Sequence, residues 1–329
     1  VNNVIMDRRI IVLAICAAAA LAAWRPATAQ PYPTKPVRIV MPFPPGGPTD
    51  ILGRLLAQRL SEVFGYNVLV DNRPGGGGAI GGSIAAKAPP DGYTLFLGGI
   101  TTLATGPFIH KNLPFDPLRD FQPVTQTTLS PLMLMVHPSM PVRTVKEYVA
   151  LAKKRPGEIN YASSGPAGSG HLAGELFNYL MQTRIVHVPY KGAPPALQDL
   201  VSGQVQSMFG TMLAAVPLVR GGKVIAIAVT GPERSRAVPD VPTFAEAGMP
   251  HYDASSWNGI LVPAGTPRSI VDRLHAEIVK IIRDPKVLER LAADGPIAIG
   301  STPEAFAAFI RSEQAKWSKV IRAANITIN

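Results

Sequence analysis

Ser163, Ser164, Ser169 and His171 fall within one glycine-bearing run, Ser163-Ser164-Gly165-Pro166-Ala167-Gly168-Ser169-Gly170-His171, and this set admits two kinds of chemistry. A serine with a positioned histidine base can act as a nucleophile. The same residues can instead hold an anion: hydroxyls donate, glycines let the main chain approach, and a helix beginning here offers N–H groups with no partner inside the helix. The spacing gives the nucleophile little support. No G-x-S-x-G surrounds Ser169, and no third group is marked to orient His171. A secreted serine hydrolase using Ser163, Ser164 or Ser169 stands as the alternative to a binding loop.

A second run has the same plan. Met41-Pro42-Phe43-Pro44-Pro45-Gly46-Gly47-Pro48-Thr49-Asp50 passes from an apolar stretch through Pro and Gly into a helical pattern. Asp50 invites a general-base role, but an acid in a first helical turn complements free N–H groups and the helix dipole, and that structural duty is expected of it. Gly76-x-Gly78-x-x-Gly81 matches the dinucleotide fingerprint only formally. The strand that follows ends in Leu97-Gly98-Gly99 without an acid for a ribose, so these glycines are read as close helix–sheet packing. His110, His137, His171, His187, His251 and His275 are dispersed, without H-x-x-x-H or H-E-x-x-H, so neither a metal nor a cofactor is expected. Trp257 and Phe209 are open between core and cleft wall.

The elements that must position these runs alternate. Val37 to Met41 reads as a strand, and Ile51, Leu52, Leu55, Leu56, Leu60 and Phe64 recur at helical spacing. Val68 to Val70 is a second strand, Ala79 to Ala88 a helix and Tyr93 to Leu97 a third strand. Such alternation predicts a parallel sheet covered by helices. The pattern restarts with strands at Leu132 to Val136, Ile159 to Ala162, Val186 to Val188, Val205 to Phe209 and Val224 to Val229. Helices interleave at Leu172 to Met181, at Ala193 to Val201, and after the capping box Thr144-x-x-Glu147. Beyond Thr243 helices dominate: Thr243 to Ala247, Ser269 to Ile282, Lys286 to Ala293, and a last one capped by Thr302 with Pro303 at its first position. The expected fold class is α/β with two lobes and a hinge of crossing strands: residues 30–127 plus 231–329 form a discontinuous lobe, and 128–230 form the inserted one. Ligands of open α/β sheets sit outside strand carboxyl ends, where both loops lie.

Residues 1–29 read as a signal peptide: Arg8-Arg9, an apolar run from Ile10 to Ala23, then Ala27-Thr28-Ala29 as a cleavage site near Ala29, with Met6 as a possible start. The chain's one cysteine, Cys16, lies within it, behind an Ile15 too bulky for an acylation signal, so no thiol chemistry is expected of the exported product. The formal charge of +10 includes a net +2 from Arg8, Arg9, Arg25 and Asp7, leaving +8 after cleavage. Basic residues such as Lys153-Lys154-Arg155 are scattered without interleaved aromatics, which argues against nucleic acid and fits long-range attraction of small anions.

Several motifs in order carry a family resemblance. Phe43-x-x-Gly46-Gly47-x-x-Asp50, Asn72-Arg73-Pro74-Gly75-Gly76-Gly77-Gly78, Pro90-Asp91-Gly92-Tyr93-Thr94-Leu95, Val188-Pro189-Tyr190-Lys191-Gly192, Asp240-Val241-Pro242-Thr243 and Trp257-x-Gly259-x-x-x-Pro263-Ala264-Gly265-Thr266-Pro267 resemble the tripartite tricarboxylate transporter substrate-binding proteins, the Bug or TctC-like family. That resemblance covers essentially the whole exported chain. It implies a periplasmic, monomeric, type II-like Venus-flytrap binder that closes on a small organic carboxylate and meets membrane permease subunits. It implies ligand contacts from Phe43, Pro45, Gly46, Gly47 and Thr49 on the first loop and from Ser163, Ser164, Gly168, Ser169 and His171 on the second. Thr101 and Thr102, and Gly210 and Thr211, are further implied contacts. Many relatives have an acid near position 210, so Gly210 argues against an ammonium group on the ligand and favours a dicarboxylate or aromatic carboxylate.

Overall fold

A computed structural model describes residues 32–327; the segment read as a leader lies outside them. Short β-branched runs stopped by Pro or Gly form the first strands, β1 (Val37–Met41), β2 (Val68–Asn72) and β3 (Thr94–Gly99), which pair in parallel with β1 in the middle. Helices α1 (Pro48–Phe64) and α2 (Ala79–Ala86) link them. Two strands that periodicity does not reveal lie beyond β3: β4 (Phe121–Ser130) and β10 (Ser256–Pro263). Because β10 runs antiparallel to both β3 and β4, the sheet is mixed, in the order β11-β4-β10-β3-β1-β2, and not the parallel sheet expected; β11 is Ile297–Ala298. The polar sequence of β4 hides it. Its threonines are buried and bonded, Thr125 Oγ1 donating to the Ser301 carbonyl at 2.8 Å and Thr127 Oγ1 to that of Asn258 at 3.0 Å.

The second sheet joins β5 (Leu132–Val136), β6 (Asn160–Ser163), β7 (Val186–Pro189), β8 (Ser207–Thr211) and β9 (Ile225–Val229) in the order β7-β6-β8-β5-β9. Here β6 is parallel to β7 and β8, while β5 is antiparallel to β8 and β9. Between β3 and β4 lie a π-helical turn (Ile100–Thr105) and the single turn α3 (Gly106–Ile109). Helix α4 (Val145–Lys154) opens on the expected capping box, with reciprocal bonds between Thr144 and Glu147. Helices α5 (Ser169–Met181) and α6 (Ala193–Ser202) match the pattern, whereas α7 (Met212–Arg220) is not foreseen, Pro217 lying inside it. The C-terminal elements are α8 (Arg268–Ile282), α9 (Pro285–Asp294) and α10 (Pro303–Ala324), the last capped by Thr302 as expected. Thr243 to Ala247 is a turn, not a helix: Thr243 and Glu246 satisfy one another's N–H groups, and the chain then leaves.

The two sheets are joined by chain crossings at Pro131 and between Val229 and Ser256. These lie side by side, since Ser130 pairs with Ser256, and Thr230 laces them. Its N–H donates to the Leu132 carbonyl, its Oγ1 accepts the Leu132 N–H, both at 2.8 Å, and its hydroxyl meets that of Ser255 at 3.3 Å. Within the second crossing, Phe244 and Tyr252 pack against Phe177 and Phe209, and the Tyr252 hydroxyl donates to the Ala173 carbonyl at 2.8 Å, so this stretch is anchored on the second sheet's side. Helix α10 packs on both β4 and α5.

Candidate functional site

Both glycine-bearing runs leave a strand end and start a helix, β1 to α1 and β6 to α5. Each helix has a glycine N-cap in extended conformation, Gly47 and Gly168, with no side chain capping it. The first-turn N–H groups of Thr49 and of Ser169 and Gly170 therefore have no carbonyl one turn behind them. Gly170 sits hard against β8: a Cβ there would stand 2.5 Å from the Phe209 carbonyl oxygen.

Each loop is tied from within by the third residue of its helix. Asp50 Oδ2 accepts the Gly46 N–H at 2.9 Å and the Arg54 guanidinium at 2.8 Å, while Oδ1 accepts the Asn72 amide at 2.9 Å. The Arg54 hydrogen bond, helped by Gly46 and Asn72, outweighs burial and lowers the Asp50 pKa to about 2. Asp50 is a tether, as its first-turn position suggests, and its charge is already matched. In the second loop His171 Nδ1 accepts the Ala167 N–H at 2.9 Å, and its ring stacks on that of His187 at 3.7 Å between centroids. Burial lowers both histidine pKa values to about 4, with His171 adding to the shift of His187, so both rings are neutral at pH 7.

The two helix starts meet at one crevice. Thr49 and Ser169 line the same cavity of about 230 Å³, together with Phe43, Pro44, Gly47, Asp50, Gly99, Ile100, Thr101, Ser256, Trp257 and Asn258. No Lys or Arg is among these lining residues. Thr49, Ser169, Ser256 and Asn258 also wall a neighbouring cavity of about 280 Å³, which Thr211 joins. Thr49 Oγ1 donates to Asn258 Oδ1 at 3.4 Å, so two residues of the shared wall are bonded to each other.

The expected contacts divide accordingly. Phe43, Gly47, Thr49, Thr101, Ser169 and Thr211 lie on the crevice walls. Pro45, Gly46 and Ser164 are exposed outside both linings, and the Gly46 N–H is taken by Asp50. Gly168 caps α5 without lining either cavity. Thr102 turns inward, its Oγ1 bonded to the Gly99 N–H and carbonyl, and Gly210 is buried on β8 against Met135. Ser163 is fully buried, its Oγ 2.6 Å from His187 Nε2 and also bonded to Gly165, and His171 faces its own loop. Phe209 belongs to the core, whereas Trp257 is nearly fully buried and also backs the crevice wall. The Trp257 indole donates to Glu313 at 2.8 Å. Gly81 is a packing glycine, since a Cβ would lie 2.9 Å from Pro42 Cα. Ser256, Asn258, Gly99 and Ile100 are wall residues that sequence reasoning does not single out. The Trp257-x-Gly259 motif was the one signal near them.

The model of the tripartite tricarboxylate transporter family receptor matches residues 52–326. The chain belongs to that family. It is a receptor family rather than one of enzymes, and its members are periplasmic binding proteins. Among receptors like it, BugT of Bordetella pertussis is 36% identical over 96% of this chain and 97% of its own. Of solved structures, Rpa4515 of R. palustris with adipate is 37% identical, with a TM-score of 0.77 over 90% of this chain and 99% of that one. MatC (Rpa3494) of Rhodopseudomonas palustris with bound malate is 33% identical, with a TM-score of 0.73 over 88% and 100%. This receptor is thus an α/β, two-lobed periplasmic binding protein. Among its described residues no helix is long and apolar enough to cross a membrane, and no cluster of His, Cys, Asp and Glu could hold a metal.

Proposed function

We propose that this receptor captures a small organic carboxylate in the crevice between its two sheets and presents it, as a monomer, to the membrane permease subunits of a tripartite tricarboxylate-type transporter. The observation that carries the reading is the convergence of Thr49 and Ser169, at two helix starts, on one cavity. A carboxylate there meets N–H dipoles from both helices and hydroxyls from Thr101, Ser169 and Ser256, without a cationic side chain. Similar receptors bound to adipate and to malate support the ligand class. Neutral donors hold an anion while leaving it easy to release.

The lobes in this reading are 35–130 with 256–327, and 131–255, since β4 runs on to Ser130 and Phe244 and Tyr252 pack against Phe209 of the second sheet. Closure follows from a ligand that touches both lobes, since only such a ligand favours the closed state. Export depends on the leader at 1–29. A thermal-shift screen of the exported receptor tests the ligand class. Adipate, malate and aromatic acids are expected to raise the melting temperature and neutral sugars to leave it unchanged; stabilisation by a sugar with none by any acid overturns the reading.

A further inference from the structure

The crevice continues past its polar end. Beyond the shared wall of Thr49, Ser169, Ser256 and Asn258, the cavity of about 280 Å³ is lined by Ile51, Leu52, Leu55, Leu132, Leu213 and Leu291. Ile51, Leu52 and Leu55 follow the anion-facing start of α1 by less than two turns, so one helix supplies both a polar mouth and an apolar flank. One side of the chamber is shut where Gly295, at the end of α9, meets Met212 at the start of α7: a Cβ at Gly295 would stand 2.5 Å from that of Met212. Leu213 is 49% exposed although it faces a chamber whose walls are mostly apolar, with Thr128, Ser130 and the exposed Arg290 among the polar lining beyond the shared wall. Water gains little from such walls, and an apolar group entering them is favoured in proportion to the area it covers. An apolar cavity of about 150 Å³ is enough to hold benzene, so this one has room for an aryl ring or a short branched chain.

We infer that the preferred ligand is an amphipathic acid, whose carboxylate sits at the two helix starts and whose apolar arm passes between Thr49 and Ser169 into this leucine-lined chamber. The inference rests on the carboxylate reading above and specifies what the acid carries. Short dicarboxylates fill the polar cavity alone. Acids with an arm add the chamber.

Isothermal titration calorimetry on the exported receptor tests this with two series, straight-chain alkanoates from acetate to octanoate and phenyl-terminated alkanoates, against malate and adipate. Affinity is expected to rise about fourfold per methylene and then level off once the chamber is full. Leu55→Gln and Leu213→Gln are expected to flatten that rise, lowering the ratio of octanoate to acetate affinity at least tenfold; Leu213 is half exposed, so its variant has little folding to lose. If short dicarboxylates bind but added methylenes bring no gain, the apolar chamber is overturned and the carboxylate reading stands. If the gain per methylene survives both substitutions, the arm lies elsewhere and the inference fails. If no acid in any series binds, the carboxylate reading fails and takes the inference with it.

Discussion

The loops at the two helix starts make the same backbone device from different chemistry. In each, a residue with positive φ, Gly46 at 88° and Ala167 at 54°, donates its N–H to the side chain four residues on, which is the third residue of the helix. In the first loop that acceptor is the Asp50 carboxylate; in the second it is the neutral imidazole of His171. The charged tether requires Arg54 as a counter-ion and places a negative group in the first turn of α1. The neutral tether leaves the first turn of α5 free of acids. One loop is therefore braced by charge and the other keeps its full helix-end field for a ligand.

That contrast can be broken at its most rigid point first. Gly170 and Thr49 hold equivalent positions, but only the second has room for a side chain, so Gly170→Thr should cost about 3 kcal/mol as its Cβ drives α5 off the Phe209 carbonyl. Chemical denaturation would register this as an early midpoint with an unchanged slope. Acid should next separate the tethers. Both histidines have folded pKa values lowered from 6.5 to about 4, so the unfolded chain binds more protons between those values, and stability present above pH 6.5 is lost as pH falls toward 4. The loss should be about 2 kcal/mol after allowing for the solvent that reaches both rings, and a His171→Gln, His187→Gln double variant should remove that step from a melting-temperature profile. Asp50 responds lower down, losing its contribution as pH falls from 3.8 toward 2. Asp50→Asn, which keeps the shape but gives up the Arg54 pairing, should cost about 1 kcal/mol and abolish this lower step while the histidine step stays in place.

The sequence made the two loops legible because Pro and Gly punctuate them and the neighbouring runs have clear periods. Helix starts at Thr144 and Thr302 were equally plain, since a cap is a local event. What stayed hidden depends on partners far along the chain. Strand β4 looks polar until Ser301 and Asn258 are seen to satisfy its threonines. Asn258 and Ser256 could not be picked as wall residues without β10, whose place between β3 and β4 no local pattern encodes. The inward turn of His171 follows from Ala167 and from a ring on β7, and Thr102 differs from Thr101 only by which side of a π-helical turn it occupies.

Thr230 binds the two chain crossings into a pair of adjacent struts. Mechanically, that is a two-leaf flexure: it yields to bending across its thin direction and resists shear and torsion, because either would break the lacing to Leu132 and Ser255. In the closure proposed above, such a flexure would bring the starts of α1 and α5 together along a single arc.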